Sequence, residues 1–145
     1  MAIGQARLLH KLAWPADDVF AILAGWGNLT KVMPAAVKTS ELDEAGYVRK
    51  LVTTGGAVLH ERLLRYDAER RLQAYEILDT ENNGVPFLNY RAKLRIRSVG
   101  KGDCLVDWSS RFNPKPGKTT AECRAFALMI YRGAVASAER MLTKR

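Results

Sequence analysis

The stretch "NYRAKLRIR", residues 89–97, places Arg91, Lys93, Arg95 and Arg97 at every second position, with Tyr90, Ala92, Leu94 and Ile96 between them. A period of two is that of a β-strand, whose successive side chains point to opposite faces of a sheet. The segment therefore has one apolar face that must cover something and one basic face. Either the basic face grips anions, or it is the wet outside of a sheet whose other side closes over a core. The alternation favours the second reading, with Tyr90, Ala92, Leu94 and Ile96 inside.

The rest of the chain has the same grammar. "RLLHKLAW" reads as an opening strand. "WPADDVFAILAGW" then starts a helix, with Pro15 at its entry, Asp17 and Asp18 where the dipole favours acids, and Val19, Phe20 and Leu23 as its apolar face. Gly25 and Gly27 break it, and "NLTKVMP" gives a second short turn of helix that stops at Pro34. "AAVKTSEL", "YVRKLVT", "AVLHERLLRYD", "RLQAYEILDT", "LNYRAKLRIRSV" and "DCLVDWSSRF" follow as strands. Turns such as "DEAG", "DAER" and "GKG" join three of the hairpins. From Thr119 to Lys144 the pattern becomes that of a long helix, opened by Thr119 or Thr120 with Glu122. Phe126, Ile130, Ala134 and Met141 mark one side of it. The predicted order is one strand, two short helices, six strands and one long helix. In that order a bent antiparallel sheet can wrap the last helix and leave a cavity between them.

The 145 residues suffice for one domain, residues 1–145, with a real core. Two cysteines and two histidines supply neither a disulfide framework nor a metal set, and no cofactor motif is present, so no metal and no cofactor is expected. The N-terminus has no uninterrupted apolar run or small-residue cleavage site, and no segment approaches a membrane span. A soluble cytoplasmic protein is expected. The net charge of +8 is spread from Arg7 to Arg145 and concentrates only over residues 91–101, which argues against a dedicated nucleic-acid site.

The order of elements, with "WPADDVFAIL", "GYVRKL", "ERLLRYD", "NYRAKL", "VDWSSRF" and the closing helix, resembles the START-like or helix-grip superfamily. That group includes bacterial polyketide cyclase/dehydrase and lipid-transport-like proteins, birch-pollen-allergen-like proteins and plant abscisic-acid receptors. The resemblance implies an α+β helix-grip fold: a seven-stranded curved antiparallel sheet around a long C-terminal helix, two short helices after the first strand, and a deep apolar pocket. It also implies pocket roles for Lys38, Glu61, Tyr90, Phe126 and Ile130, a mobile loop at Gly55 and Gly56, and a second loop at "NNGVPFL". The receptors' own gate and latch sequences are absent, so hormone reception is not implied.

Each candidate has a bland alternative. Glu61 shares a face with Leu59 and Leu63, where a carboxylate must be paired or neutralised. If the opposite face is buried, Glu61 is simply solvated. Lys38 either meets a ligand and pairs with Glu61, or is an edge-strand surface lysine. Tyr90 has an inward face, and its hydroxyl bonds either a ligand or a neighbouring strand. Asp107 belongs inside by family comparison and outside by alternation, since Val106, Trp108, Ser110 and Phe112 form the apolar set. Neither Arg49 nor Arg111 can be placed.

The leading expectation is a binding or transport protein for a lipid, polyketide or isoprenoid-like molecule. Trp26, Leu29, Met33, Tyr90, Leu94, Phe126 and Ile130 would form its wall, with Lys38 and Glu61 as polar points. The alternative is a cyclase/dehydrase-type enzyme with Glu61 and Tyr90 as acid–base residues. A weaker alternative is nucleic-acid or acidic-membrane binding through residues 91–97. A homodimer is compatible with the family.

Overall fold

Period-two patterning carries seven strands into one antiparallel sheet. The computed structural model describes residues 3–145. Strand β1 spans Gly4–Leu12, and helices α1 (Ala16–Leu23) and α2 (Leu29–Val32) follow it. Then come β2 (Val37–Leu42), β3 (Val48–Thr53), β4 (Val58–Asp67), β5 (Leu72–Ile77), β6 (Phe87–Ser98) and β7 (Cys104–Pro114). Helix α3, Thr120–Thr143, ends the chain. The sheet order is β1-β7-β6-β5-β4-β3-β2, so six strands form a meander and β1 closes against β7. This is the helix-grip arrangement that the order of elements implied.

Strand β6 settles the direction of its faces. Tyr90, Ala92, Leu94 and Ile96 are buried, and Arg91, Lys93, Arg95 and Arg97 are exposed. Arg91 reaches Glu76 at 3.4 Å and Arg97 reaches Asp107 at 3.9 Å on the outer surface. Asp107 also takes a fork of two bonds from Arg7, at 3.0 and 2.9 Å. These bonds hold its carboxyl below the usual carboxylate range, and they place it outside, as alternation required.

Helix α3 starts at Thr119, whose hydroxyl accepts the Glu122 N–H at 3.0 Å. Its buried stripe runs Cys123, Ala127, Tyr131, Ala134, Ala138, Leu142, a spacing of three and four residues. The stripe lies about one residue round from the side marked by Phe126, Ile130 and Met141. Small residues carry little apolar signal, yet they let a helix approach a sheet closely, so the tightest contact runs through alanines. Gly133 lies on the exposed side, where an added Cβ would meet nothing within 4 Å.

The interior divides into two ends. Helix α1 packs on β6, β7 and α3. There Val19, Leu94, Ile96, Val106 and Leu142 are almost wholly buried. Full burial of such side chains contributes roughly 1.5–3 kcal/mol each. Toward the start of β6 and of α3 the interior is not filled. No helix among the described residues is long and apolar enough to cross a membrane.

Candidate functional site

A cavity of about 410 Å³ lies between the inner face of the sheet and the first half of α3. Its wall is mostly aliphatic and aromatic, with Leu51, Leu59, Ile77, Phe87, Phe126 and Ile130 among its residues. Leu29 and Met33, from α2 and the turn after it, close one side.

Two loops form its rim. Residues 53–57 and 82–86 touch: a Cβ on Gly84 would lie 2.7 Å from that of Ala57, and Gly84 has φ +76. Only glycine satisfies both the approach and the dihedral. The second loop is tied down from within. Asn83 is fully buried, and its Oδ1 accepts from Lys115 Nζ at 2.8 Å and from the Val85 N–H at 3.3 Å.

The polar equipment stands on neighbouring strands. Arg49 of β3 lies opposite Glu61 of β4 in the ladder. Their side chains meet inside, with Nε and Nη2 of Arg49 at 2.8 and 2.7 Å from Glu61 Oε1. Both contacts use the same carboxylate oxygen. The guanidinium also donates to the Trp26 carbonyl at 3.2 Å and lies 3.9 Å from the centre of the Trp26 ring. An arginine taken out of water needs such partners, and here the carboxylate, carbonyl and indole face provide them. Gln73 of β5 donates to the Ala24 carbonyl at 2.8 Å, which fastens the end of α1 to the sheet.

Tyr75, Tyr90 and Tyr131 bring three hydroxyls together beside that pair. The Trp108 indole N–H donates to the Tyr75 hydroxyl at 3.1 Å, and the Tyr90 and Tyr131 hydroxyls bond each other. Trp108 and Tyr131 stack with ring centres 4.5 Å apart, which fixes the α3 tyrosine over β7. Burial in an apolar wall disfavours the phenolate. It pushes Tyr75 and Tyr90 well above the ordinary tyrosine value and Tyr131 up to about 12. All three hold their protons at neutral pH.

Glu61, Tyr90, Leu29, Met33, Phe126 and Ile130 line the cavity. Three expected pocket residues, the polar point Lys38 and the wall residues Leu94 and Trp26, do not. Lys38 is the extra residue at a bulge in β2, between the pairs Val37–Thr53 and Thr39–Val52, and it is exposed. The bulge gives the inward position to Val37 and leaves Lys38 in water, so the partner of Glu61 is Arg49 and not Lys38. Leu94 is fully buried in the filled end beneath α1. Trp26 lies behind Arg49, supporting it instead of facing the cavity. Tyr75 and Tyr131 were not singled out and Arg49 was left unplaced, though each had a signal. Arg49 shares a period-two face with Leu51, Tyr75 alternates with Gln73 and Ile77, and Tyr131 lies four residues after Ala127. Among the described residues no cluster of three His, Cys, Asp or Glu stands ready for a metal ion, and Cys104 and Cys123 are free and buried.

The fold recurs in solved structures. The protein XoxI from Bacillus cereus superposes with a TM-score of 0.84 at 22% identity, over 95% of this chain and 94% of that one. Ara h 8.0201 gives 0.80 at 14% identity, over 99% of this chain and 100% of that one. Norcoclaurine synthase from Thalictrum flavum, solved in complex with dopamine and hydroxybenzaldehyde, gives 0.77 at 15% identity over 99% and 88%. No curated protein matches the sequence. Residues 10–141 match the family described as polyketide cyclase / dehydrase and lipid transport, activities that share a bound small molecule and differ in what is done to it. With nearly its whole length matched and the helix grip in place, the chain belongs to the polyketide cyclase/dehydrase and lipid-transport family.

Proposed function

We propose that the protein binds an apolar or amphipathic small molecule, of lipid, polyketide or isoprenoid-like character, between its sheet and α3. The observation that carries this reading is the cavity itself: about 410 Å³ of space with a mostly apolar wall and a few fixed polar groups. Ligand pockets have that size and that composition. Family membership supports ligand binding in general, and the choice among ligand classes is ours.

Native mass spectrometry of freshly purified protein, followed by organic extraction, tests the reading. An adduct that releases a lipid or aromatic compound is expected. Ile130→Trp, which sets a larger ring at the half-buried α3 wall, is expected to abolish the adduct. A clean unliganded mass, with no thermal shift across lipid and polyketide panels, would remove the proposal.

A second reading, a cyclase- or dehydratase-type enzyme, is favoured by one detail. The Glu61 carboxylate, held by Arg49 through Oε1, stands in the cavity wall as a candidate proton acceptor beside three protonated tyrosines. On a substrate once identified, Glu61→Gln is expected to retain binding and lose turnover in an enzyme, and to change affinity alone in a carrier.

A further inference from the structure

The outer face of the sheet gathers charges that are scattered along the chain. A groove of about 700 Å³ crosses it, lined by Arg7 of β1, Arg91 and Lys93 of β6, Arg111 of β7 and Arg124 of α3. All of these side chains are exposed, and among the described residues no carboxylate joins them in the lining. The register explains the shape. Ser109 lies between Arg7 and Lys93 in the ladder, and Ala74 lies on the other side of Lys93. Two short side chains therefore form a floor between long basic ones.

Folding alone does not call for this arrangement. Arg91 and Arg111 stand directly opposite each other in the β6–β7 pairing, and like charges so placed are destabilising. The carboxylates at the margin do not neutralise the groove, because each is already shared. Glu76 serves Arg62 and Arg91, and Asp107 serves Arg7 and Arg97. Lys93, Arg111 and Arg124 form no ion pair among the described residues. Arg124 Nε donates to the Gln5 carbonyl at 3.0 Å, a bond that leaves its charge uncompensated.

We infer that this groove docks the phosphate backbone of a nucleic-acid duplex, independently of base sequence. Guanidinium, ammonium, hydroxyl and amide groups are the usual partners of phosphate oxygens. The basic side chains, Ser109 and Gln5 supply all of them here. Single strands are held by stacking their bases on aromatic rings, and the described lining contains no ring. A duplex keeps its bases inside and presents phosphates. A bilayer is flat and would meet only the rims of the groove. Docking through this face would also turn the cavity, on the far side of the sheet, away from the lipid. The site is independent of the cavity and of what fills it.

Fluorescence anisotropy of labelled DNA and RNA duplexes of about 20 base pairs, two helical turns, tests the assignment on the full chain. Lys93, Arg111 and Arg124 together predict a slope of log affinity against log salt of about −2.7, roughly a 40-fold loss from about 50 to about 200 mM salt. Arg111→Glu and Lys93→Glu are each expected to weaken binding at least roughly tenfold and to flatten that slope. Arg111→Glu also sets an acid opposite Arg91, so its urea midpoint is expected to be no lower than the native chain's, which separates lost binding from lost fold. Lys31→Glu, exposed on α2, makes the same change in net charge and is expected to bind as the native chain does. Several results would overturn the assignment: no duplex bound at low salt, affinity unmoved by both groove substitutions, an equal loss in Lys31→Glu, or affinity that follows base sequence. Phosphatidylserine vesicles bound in preference to duplex, or polyglutamate competing as well as unlabelled duplex, would also overturn it. All of these outcomes leave the cavity reading standing, since Ile130→Trp tests that separately.

Discussion

At the scale of single residues, the Arg49–Glu61 pair is the most consequential commitment of the chain. Each side chain is only 8% exposed, so neither charge is solvated by bulk water. Removing one partner strands the other, which typically costs about 3–5 kcal/mol, whereas replacing both with apolar side chains is often neutral. Arg49→Met alone is expected to lower unfolding free energy by that amount in urea denaturation, and Arg49→Met with Glu61→Leu to recover most of it. A double variant as unstable as the single would show that the pair's partners, chiefly the Trp26 carbonyl and ring, matter more than its charge balance. The buried tyrosines add a pH dependence of determinate sign. Tyr131 is raised to about 12 in the folded protein from the ordinary tyrosine value of 10.0, so above pH 10 the unfolded chain loses its proton first. The folded state then binds more protons, and stability falls as pH rises from about 10 to 12 while being fully present below it. Urea midpoints across that range are expected to decline less steeply in Tyr131→Phe.

At the scale of elements, helix α3 has one position where the sequence works against the structure and one where it works for it. Gly133 is exposed in mid-helix with open space around its missing side chain, so Gly133→Ala is expected to add up to about 1 kcal/mol of stability. Thr119 caps the same helix through the Glu122 N–H, and Thr119→Ala is expected to cost about 1 kcal/mol. Both shifts are measurable by thermal or urea unfolding at neutral pH. The same contrast explains what could be read before the structure. Strands, hairpins and their order were legible because alternation and turn residues are local signals, and the "NYRAKLRIR" faces came out with no help from tertiary contacts. Lys38 was given its pocket role by the family resemblance alone; here it is the extra residue at a bulge and is exposed, and nothing local in "AAVKTSEL" marks where the ladder slips. Arg49 stayed undecided for a different reason: its partner lies across a strand pair, and only the β3–β4 register sets it opposite Glu61. On α3 the large side chains Phe126 and Ile130 stand at the cavity wall while the alanines beside them are the more deeply buried, because a small side chain lets the helix lie close to the sheet although it looks neutral in a hydropathy pattern.

At the scale of the whole molecule, one end of the grip is filled and the other is not. Leu94, Ile96, Val106 and Leu142 pack that first end beneath α1, and packing there sustains the fold. The cavity end gives up contacts that a filled core would make, since atoms facing empty space lose their dispersion partners. A ligand that occupies it replaces those contacts and binds only the folded state. Stability must then rise with ligand concentration, by about 2.7 kcal/mol at a hundred times Kd. Anilinonaphthalene sulfonate, or any compound recovered by extraction, is expected to raise the urea midpoint on this logarithmic scale. In Ile130→Trp the unliganded protein is expected to be at least as stable as the native chain, because the added ring fills space at the α3 wall, and the ligand-dependent rise should vanish. A rise that survives in that variant would place binding elsewhere. The outer face, with Lys93, Arg95 and the paired Arg91 and Arg97 exposed, would then be the surface to test, and strong weakening of the effect by salt would identify it. Salt has little purchase on an apolar cavity. The ionic-strength dependence of the stabilisation therefore distinguishes the inside of the sheet from the outside in one measurement.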